Sequence, residues 1–427
     1  MIHGSQAEKP SHKPCHPPTF LPLPFCYTRS PKYSSPEGDP VMPRPPRSES
    51  FNPREVCIVH CIQRCVRRAF LTGLDPLTGR NYEGRREWIR ARLECLASVF
   101  GIDVLTYSIL SNHLHVILRN RPDVVDQWSD EEVARRWLSV FPGQRVDEFL
   151  GQPTRSSIDA LVRNAGLLAE IRERLSNPSW FMRALAEPIA RMANKEDQCT
   201  GRFWEGRFKA QAIRDEAGLL ACSMYVDLNP IRAALAQTLK DSVHTSALDR
   251  ILGMEGEKMT SAASNPVVIE TEEAGRIRRT STPDQMRERQ AESRRMRRGK
   301  SILRDAWLAP LTLDERGAPG AQKSESGVRA SDKGFLSMSL KDYLVLLAWT
   351  GSNKPSLGKP SSTPEVDSIL NRLGIDGSLW LDLVWKFKKY YQGAIAGLPE
   401  TMAQHAAEHR RRWRRGQRAV RHIFAGT

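Results

Sequence analysis

Apolar residues recur along this chain with two spacings, and the alternation of the two sets out its elements. A run from Val56 through Cys57, Ile58 and Val59, leading into His60 and Cys61, predicts a first strand. Turn residues follow at Gly73, Pro76, Gly79 and Gly84. Over residues 84–100 the spacing becomes helical, with Trp88, Ile89, Leu93, Leu96, Val99 and Phe100 on one side. Arg90 falls off that face, Arg85 and Arg92 lie nearer to it, and Gly101 is a plausible stop. Ile102 to Leu110 and His113 to Arg119 then predict two more strands around a tight Ser111-Asn112 break. The order is strand, helix, strand, strand.

From 120 to 200 the rhythm is helical. Trp128, Val133, Trp137, Val140 and Phe141 mark one helix, Ser157 to Leu175 a second, and Phe181, Met182, Leu185, Ile189 and Met192 a third with Pro188 as a kink. Core packing is the default role of their aromatic residues. The stretch GRFWEGRFKAQAI, residues 201–213, interleaves Arg202, Arg207 and Lys209 with Phe203, Trp204 and Phe208. Such a strand either meets phosphates and stacks on bases, or buries its rings and solvates its charges. Residues 215–236 begin as a helix that Pro230 ends or kinks, and Tyr225 and Asn229, four apart, share a helical face. Beyond it, weak patterning and an arginine cluster over 276–300 predict a linker. Residues 335–350 predict a helix capped by Ser339, 366–395 two more, and HRRRWRRGQRAVRH a final basic one.

Composition adds a partner. Lys and Arg outnumber Asp and Glu by 64 to 49 over 427 residues, a net charge of +15, which favours a polyanion, most commonly nucleic acid. No apolar run is long enough to span a bilayer, and no secretory signal pattern opens the chain, so no membrane partner and a cytoplasmic location are expected. Cys57, Cys61 and Cys65 have the wrong spacing for a zinc finger; reduced, partly buried thiols are expected.

The candidate chemistry sits in LSNHLHVILR, residues 110–119. On a strand, His113 and His115 project side by side, and two imidazoles at that spacing can share a divalent metal or simply make hydrogen bonds on a sheet. In combination the motifs resemble the single-tyrosine HUH transposases, the IS-two-hundred family, and especially their repeat-associated relatives. The family's PNH-x-H strand resembles Ser111-Asn112-His113-Leu114-His115, with Ser111 in place of its proline. Its LWEGRFK-like segment resembles Phe203-Trp204-Glu205-Gly206-Arg207-Phe208-Lys209, and its Y-x-x-x-NPVRA helix resembles Tyr225 through Ala233. The likeness spans roughly residues 53–236.

The resemblance implies an α+β fold, a small antiparallel sheet with packed helices (a ferredoxin-like HUH nuclease core), to which the helical spacing adds inserted helices and a mainly helical C-terminal region. It implies His113, His115 and Asn229 as ligands of Mg²⁺ or Mn²⁺, and Tyr225 as the nucleophile of a DNA nickase and strand transferase with a 5′-phosphotyrosine intermediate. The partner would be single-stranded DNA bearing a hairpin, held by Arg202, Trp204, Arg207, Lys209 and Arg232, and the protein a homodimer as family members often are. The expected organisation is a Pro/Ser-rich disordered arm over 1–50, a catalytic domain over 53–240 with a helical insertion at about 122–198, a weakly ordered basic linker over 241–334, and a basic helical domain over 335–427. Two other readings remain: a relative that binds DNA hairpins without cutting, and a structural zinc protein using His60, His113, His115 and a cysteine.

Overall fold

The computed structural model describes residues 47–66, 71–75, 79–142, 146–147, 152–260, 301–313, 322–355, 361–412 and 414–424. The expected arm up to residue 46 and the arginine cluster over 276–300 lie outside them. The protein is α+β. Its sheet has five strands, β1 (Ile58–Arg64), β2 (Ile102–Ile109), β3 (His113–Asn120), β6 (Lys209–Ile213) and β9 (Ile395–Ala396), in the order β2-β3-β1-β6-β9. The first three neighbouring pairs are antiparallel, and β9 joins β6 in parallel, so the sheet is mixed. Two-stranded ribbons pair β4 (Val146–Asp147) with β5 (Gln152–Pro153) and β7 (Lys258–Thr260) with β8 (Ser301–Leu303).

Side-chain alternation gives the sheet two buried faces. Val59, Cys61, Val116 and Leu118 face α1 (Gly84–Val99) and α6 (Pro178–Glu196) in one core. Leu105 and Ile117 face a second core built on α7 (Glu216–Asp227) and the C-terminal helices. Cys57, Cys61 and Cys65, at even spacing in and beside β1, pack on the first face of the sheet instead of along a helix. Helix α1 fills its expected range, but the helix stop at Gly101 has another cause. A Cβ there would come within 2.1 Å of Val125 Cγ2, so glycine is required by close packing. Arg90, off the apolar stripe, is buried too, because a helix on its far side supplies Asp249, 3.2 Å away.

The insertion holds α2 (Pro122–Val125), α3 (Asp130–Val140), α4 (Arg155–Val162), α5 (Ala165–Leu175) and α6. The single helix expected over Ser157 to Leu175 is two, since the Asn164 side chain accepts from the Leu167 amide and restarts the helix. Helix α6 runs through Pro188. After α7 come the short α8 (Asn229–Arg232) and α9 (Ser246–Met254).

The expected linker over 241–334 is ordered wherever it is described. Helix α9 is buried, Trp307 and Leu308 are fully covered, and Ser331 to Gly334 is tied to β2 and β3. The C-terminal helices are α10 (Leu340–Ser352), α11 (Pro364–Leu373), α12 (Gly377–Trp385), α13 (Phe387–Tyr390), α14 (Pro399–Glu408) and α15 (Gln417–Ile423). Ser339 caps α10 as expected. The final basic stretch is not one helix: α14 ends at Glu408, and the arginines fill the turn before α15. Residues 45–427 fall in one compact unit, and the C-terminal region contributes β9 to the sheet itself instead of standing apart. Residues 47–50, placed in the disordered arm by composition, carry a 3-10 turn held by Glu49 to Arg414 at 2.7 Å.

Candidate functional site

Register brings three histidines together. Ile62 faces His115 and His60 faces Ile117 across β1 and β3, so His60, His113 and His115 share the second face of the sheet. The rings of His60 and His115 stack at 5.0 Å with His60 Nε2 and His115 Nδ1 2.8 Å apart, and His113 lies 4.9 Å from His115. His113 Nδ1 donates to Asn112 Oδ1, which leaves its Nε2 with a free lone pair. In the tautomer where His115 Nδ1 donates to His60, the His115 Nε2 likewise carries a free lone pair, and that buried atom has no hydrogen-bond partner. Fixing the tautomer through the second ring nitrogen is what metal-binding histidines require. An unmatched buried polar atom costs roughly 1–3 kcal/mol, which an occupant would recover.

Tyr225 comes from the last turn of α7. Its ring meets His115 edge-on at 5.5 Å and stacks on Phe387 at 4.7 Å, with the Arg232 guanidinium 4.5 Å from its centroid. It is fully buried, and its hydroxyl has no partner. Asn229 opens α8 beyond a break at Leu228, so the two residues sit on successive helices and not on one. The Asn229 Oδ1 accepts from Arg232 Nη1 at 3.4 Å. Among the described residues, no group of three or more His, Cys, Asp or Glu is placed to hold a metal ion; a third ligand here would be the Asn229 amide.

The electrostatics are positive. Burial holds the His113 pKa down at about 4, and Lys388, Arg64 and Lys209 add to it. Burial likewise lowers His60 to about 4, and it lowers His115 well below the usual range, with His60, His113, Lys388 and Arg232 contributing. All three imidazoles are therefore neutral at pH 7, the state in which they can ligate. A cavity of about 130 Å³ beside them is lined by His60, Lys209, Tyr225, Phe387 and Lys388. Neutral donors surrounded by cations suit an anion, and a metal among them would depend on an anionic substrate for its balancing charge.

The proposed DNA-contact residues divide. Lys209 is exposed at the start of β6, opposite Ile62 on the histidine face. Arg202 and Arg207 are exposed, Arg202 donating to Glu205 O at 3.4 Å and Arg207 lining a cavity beside Trp180. Arg232 is half-buried and donates to Trp385 O at 2.6 Å, which turns it inward over Tyr225. Trp204 is no open stacking platform: it is buried, its indole donating to Ala186 O at 2.8 Å. Phe203 and Phe208 are core residues as well, so for the rings of this segment packing prevails over recognition. Sequence reading gave no role here to Phe387 and Lys388, whose segment carries no motif, and saw in His60 only a zinc ligand.

Between Tyr225 and Asn229 lies Asp227, fully buried, which accepts from Ser246 Oγ at 2.5 Å, Tyr343 Oη at 2.7 Å and the Ala247 amide at 3.0 Å. Burial pushes its carboxyl up from 3.8 to about 6. A raised carboxyl pKa favours the folded state at low pH, and that contribution is lost as pH rises through the folded pKa. The stability of Asp227→Asn relative to wild type should therefore climb between pH 3.8 and 6 and level off above, in urea unfolding at stepped pH. A difference that stays flat across that window would show that Asp227 titrates as it does in the unfolded chain.

No protein-family model and no curated protein matches the chain. Among solved structures, that of a REP-associated tyrosine transposase bound to a REP hairpin matches over 44% of this chain and 76% of that one, with 11% identity and a TM-score of 0.26. No helix among the described residues is long and apolar enough to cross a membrane.

Proposed function

We propose that this protein is a DNA nickase and strand transferase that uses Tyr225 as its nucleophile at a site formed by His113, His115 and Asn229. The supporting observation is the convergence of two buried, unpartnered atoms, His115 Nε2 and Tyr225 Oη, on rings 5.5 Å apart in a cation-lined site. Tyr225 Oη attacks the phosphorus of a single-stranded substrate, the bond to the 3′-oxygen breaks, and a 5′-phosphotyrosine and a free 3′-hydroxyl result. The phenol gives up its proton and the leaving oxygen gains one. Attack by another 3′-hydroxyl on the phosphotyrosine reverses the step and joins strands. Lys209 and Lys388 draw the phosphate to the histidine face. His60 and Asn112 hold the two ligand imidazoles in the tautomer that presents Nε2. Mg²⁺ or Mn²⁺, when bound by these residues, supplies charge withdrawal from a non-bridging phosphate oxygen. A hairpin beside the cut and assembly as a homodimer belong to the same proposal.

One observation favours a second reading, a protein that binds DNA without cutting it. Tyr225 is fully buried with Phe387 stacked on its ring at 4.7 Å, so a phosphate in the adjoining cavity reaches the hydroxyl only once Phe387 gives way. Incubation with a hairpin-bearing single strand and Mg²⁺ or Mn²⁺, followed by a denaturing gel, separates the two. The nickase gives a covalent adduct that requires the metal and disappears in His113→Ala. Phe387→Ala should raise adduct yield several-fold while costing about 3 kcal/mol of stability, the usual loss for emptying a buried phenylalanine site. Binding with no adduct in either wild type or Phe387→Ala would leave the non-cutting reading.

A further inference from the structure

Outside the histidine face, a cationic groove of about 700 Å³ lies between α13 and α15, lined by Lys389, Gln392, Arg412, Arg418 and Arg421. All five side chains are exposed. Several surface arginines of the insertion are paired: Arg135 and Arg155 share Glu131, and Arg191 holds Glu187. Arg411 and Arg414 near the groove are likewise taken by Glu49. Lys389, Arg412, Arg418 and Arg421, by contrast, meet no carboxylate within ion-pair distance among the described residues, and no acidic side chain lines the groove.

The groove's floor is built. Gly416 has φ +89°, and a Cβ there would lie 1.8 Å from Tyr390 O, so the turn closes on α13 only as glycine. Arg414 is buried, donating to Glu49 at 2.7 Å and to His405 O at 3.3 Å. Gln417 donates to Pro399 O at 3.3 Å. The unpaired cations therefore project from a fixed base, at the expense of mutual repulsion that a polyanion would relieve. The groove also leads somewhere. Gln392 lines both it and the small cavity over His60 and Tyr225, while the adjacent Lys388 and Lys389 line one each.

We propose that this groove holds the sugar–phosphate backbone of the single-stranded DNA that flanks the phosphodiester entering the Tyr225 cavity. The inference rests on the nicking reading for the direction of the strand, and it assigns the C-terminal region a binding role of its own. Recognition is by phosphate charge and independent of base sequence, since the lining among the described residues offers cations and no ring.

The test is the salt dependence of binding by the full chain. Binding of a fluorescent single-stranded oligonucleotide is titrated at stepped NaCl for wild type and for Arg412→Gln/Arg418→Gln/Arg421→Gln. Three lost phosphate contacts should flatten the slope of log K against log salt by about 2, at roughly 0.7 per contact on a single strand. A control, Arg135→Gln/Arg155→Gln/Arg191→Gln, removes the same charge from the insertion and should leave the slope unchanged. Equal slopes in wild type and groove variant, or equal flattening in both variants, would overturn the proposal. A flattening seen only with duplex DNA would overturn the single-strand occupant. Adduct formation is scored separately at saturating oligonucleotide. No adduct together with a flattened slope removes the nicking reading and keeps the groove; a normal adduct with an unchanged slope does the reverse.

Discussion

Tyr225→Phe is expected to remove the covalent protein–DNA adduct completely while leaving the protein as stable as before, or more stable by up to about 1 kcal/mol. The two halves of this result have different causes. Loss of the adduct follows from loss of the attacking oxygen. The stability follows from packing. The Tyr225 ring is held between Phe387 at 4.7 Å and the edge of His115 at 5.5 Å, contacts that phenylalanine keeps. The hydroxyl is buried without a hydrogen bond, so deleting it removes an unsatisfied group and opens little space. Most buried tyrosines behave in the opposite way, because their hydroxyl is bonded. Tyr343 is the internal control, since its hydroxyl donates to Asp227 at 2.7 Å and Tyr343→Phe should destabilise. The pair of measurements is a denaturing gel and a thermal unfolding curve. An adduct that persists in Tyr225→Phe assigns the nucleophile elsewhere; a clear loss of stability means that the hydroxyl is bonded in solution.

What the sequence made legible, and what it did not, divides along chain distance. The strand–helix–strand–strand order of residues 56–119 could be read because each element carries its own period and breaks at local turn residues. The side-by-side placement of His113 and His115 follows from strand geometry alone. Tyr225 and Asn229 were placed in the right segment but on one helix, whereas the chain starts a new one at Asn229, with Pro230 in its first turn. Hidden were the contacts that join distant segments. That Phe387 covers Tyr225 depends on a stretch more than 150 positions later with no motif of its own. The aromatic residues of 203–208 could not be sorted locally, because interleaved rings and charges fit a recognition strand and a core-facing one equally. The helix that carries Ala186 decides it by accepting the Trp204 indole. Residues 322–334 read as linker for a similar reason: polar composition says nothing of a partner on the other side of the chain.

That partner is Asp103, and Asp103→Ala should cost about 3–5 kcal/mol, the usual loss when one member of a buried charge cluster is removed. Asp103 is buried on β2 opposite Arg119. It accepts from Arg119 Nε at 2.9 Å and Nη2 at 2.8 Å, lies 3.5 Å from Arg121 Nη1, and takes the Ser331 amide at 3.0 Å and hydroxyl at 2.8 Å. Both arginines are buried, and losing the carboxylate strands Arg119 in low dielectric, while Arg121 keeps Asp123 at 2.8 Å. Arg119 also donates to Gly334 O at 2.7 Å, so the cluster pins residues 331–334 to the sheet across more than 200 positions of chain. An exposed pair makes the contrast: Glu131→Ala, which removes the carboxylate shared by Arg135 and Arg155, should cost no more than about 1 kcal/mol. Urea unfolding of the two variants gives the comparison, and equal small losses would show that water reaches Asp103. Because the segment pinned here leads directly into α10 and the helices that bring Phe387 and Lys388 over the histidines, the Asp103 variant should also lose hydrogen-exchange protection first in residues 331–336. Protection lost first in α1, on the opposite face of the sheet, would place the weak point of the fold elsewhere.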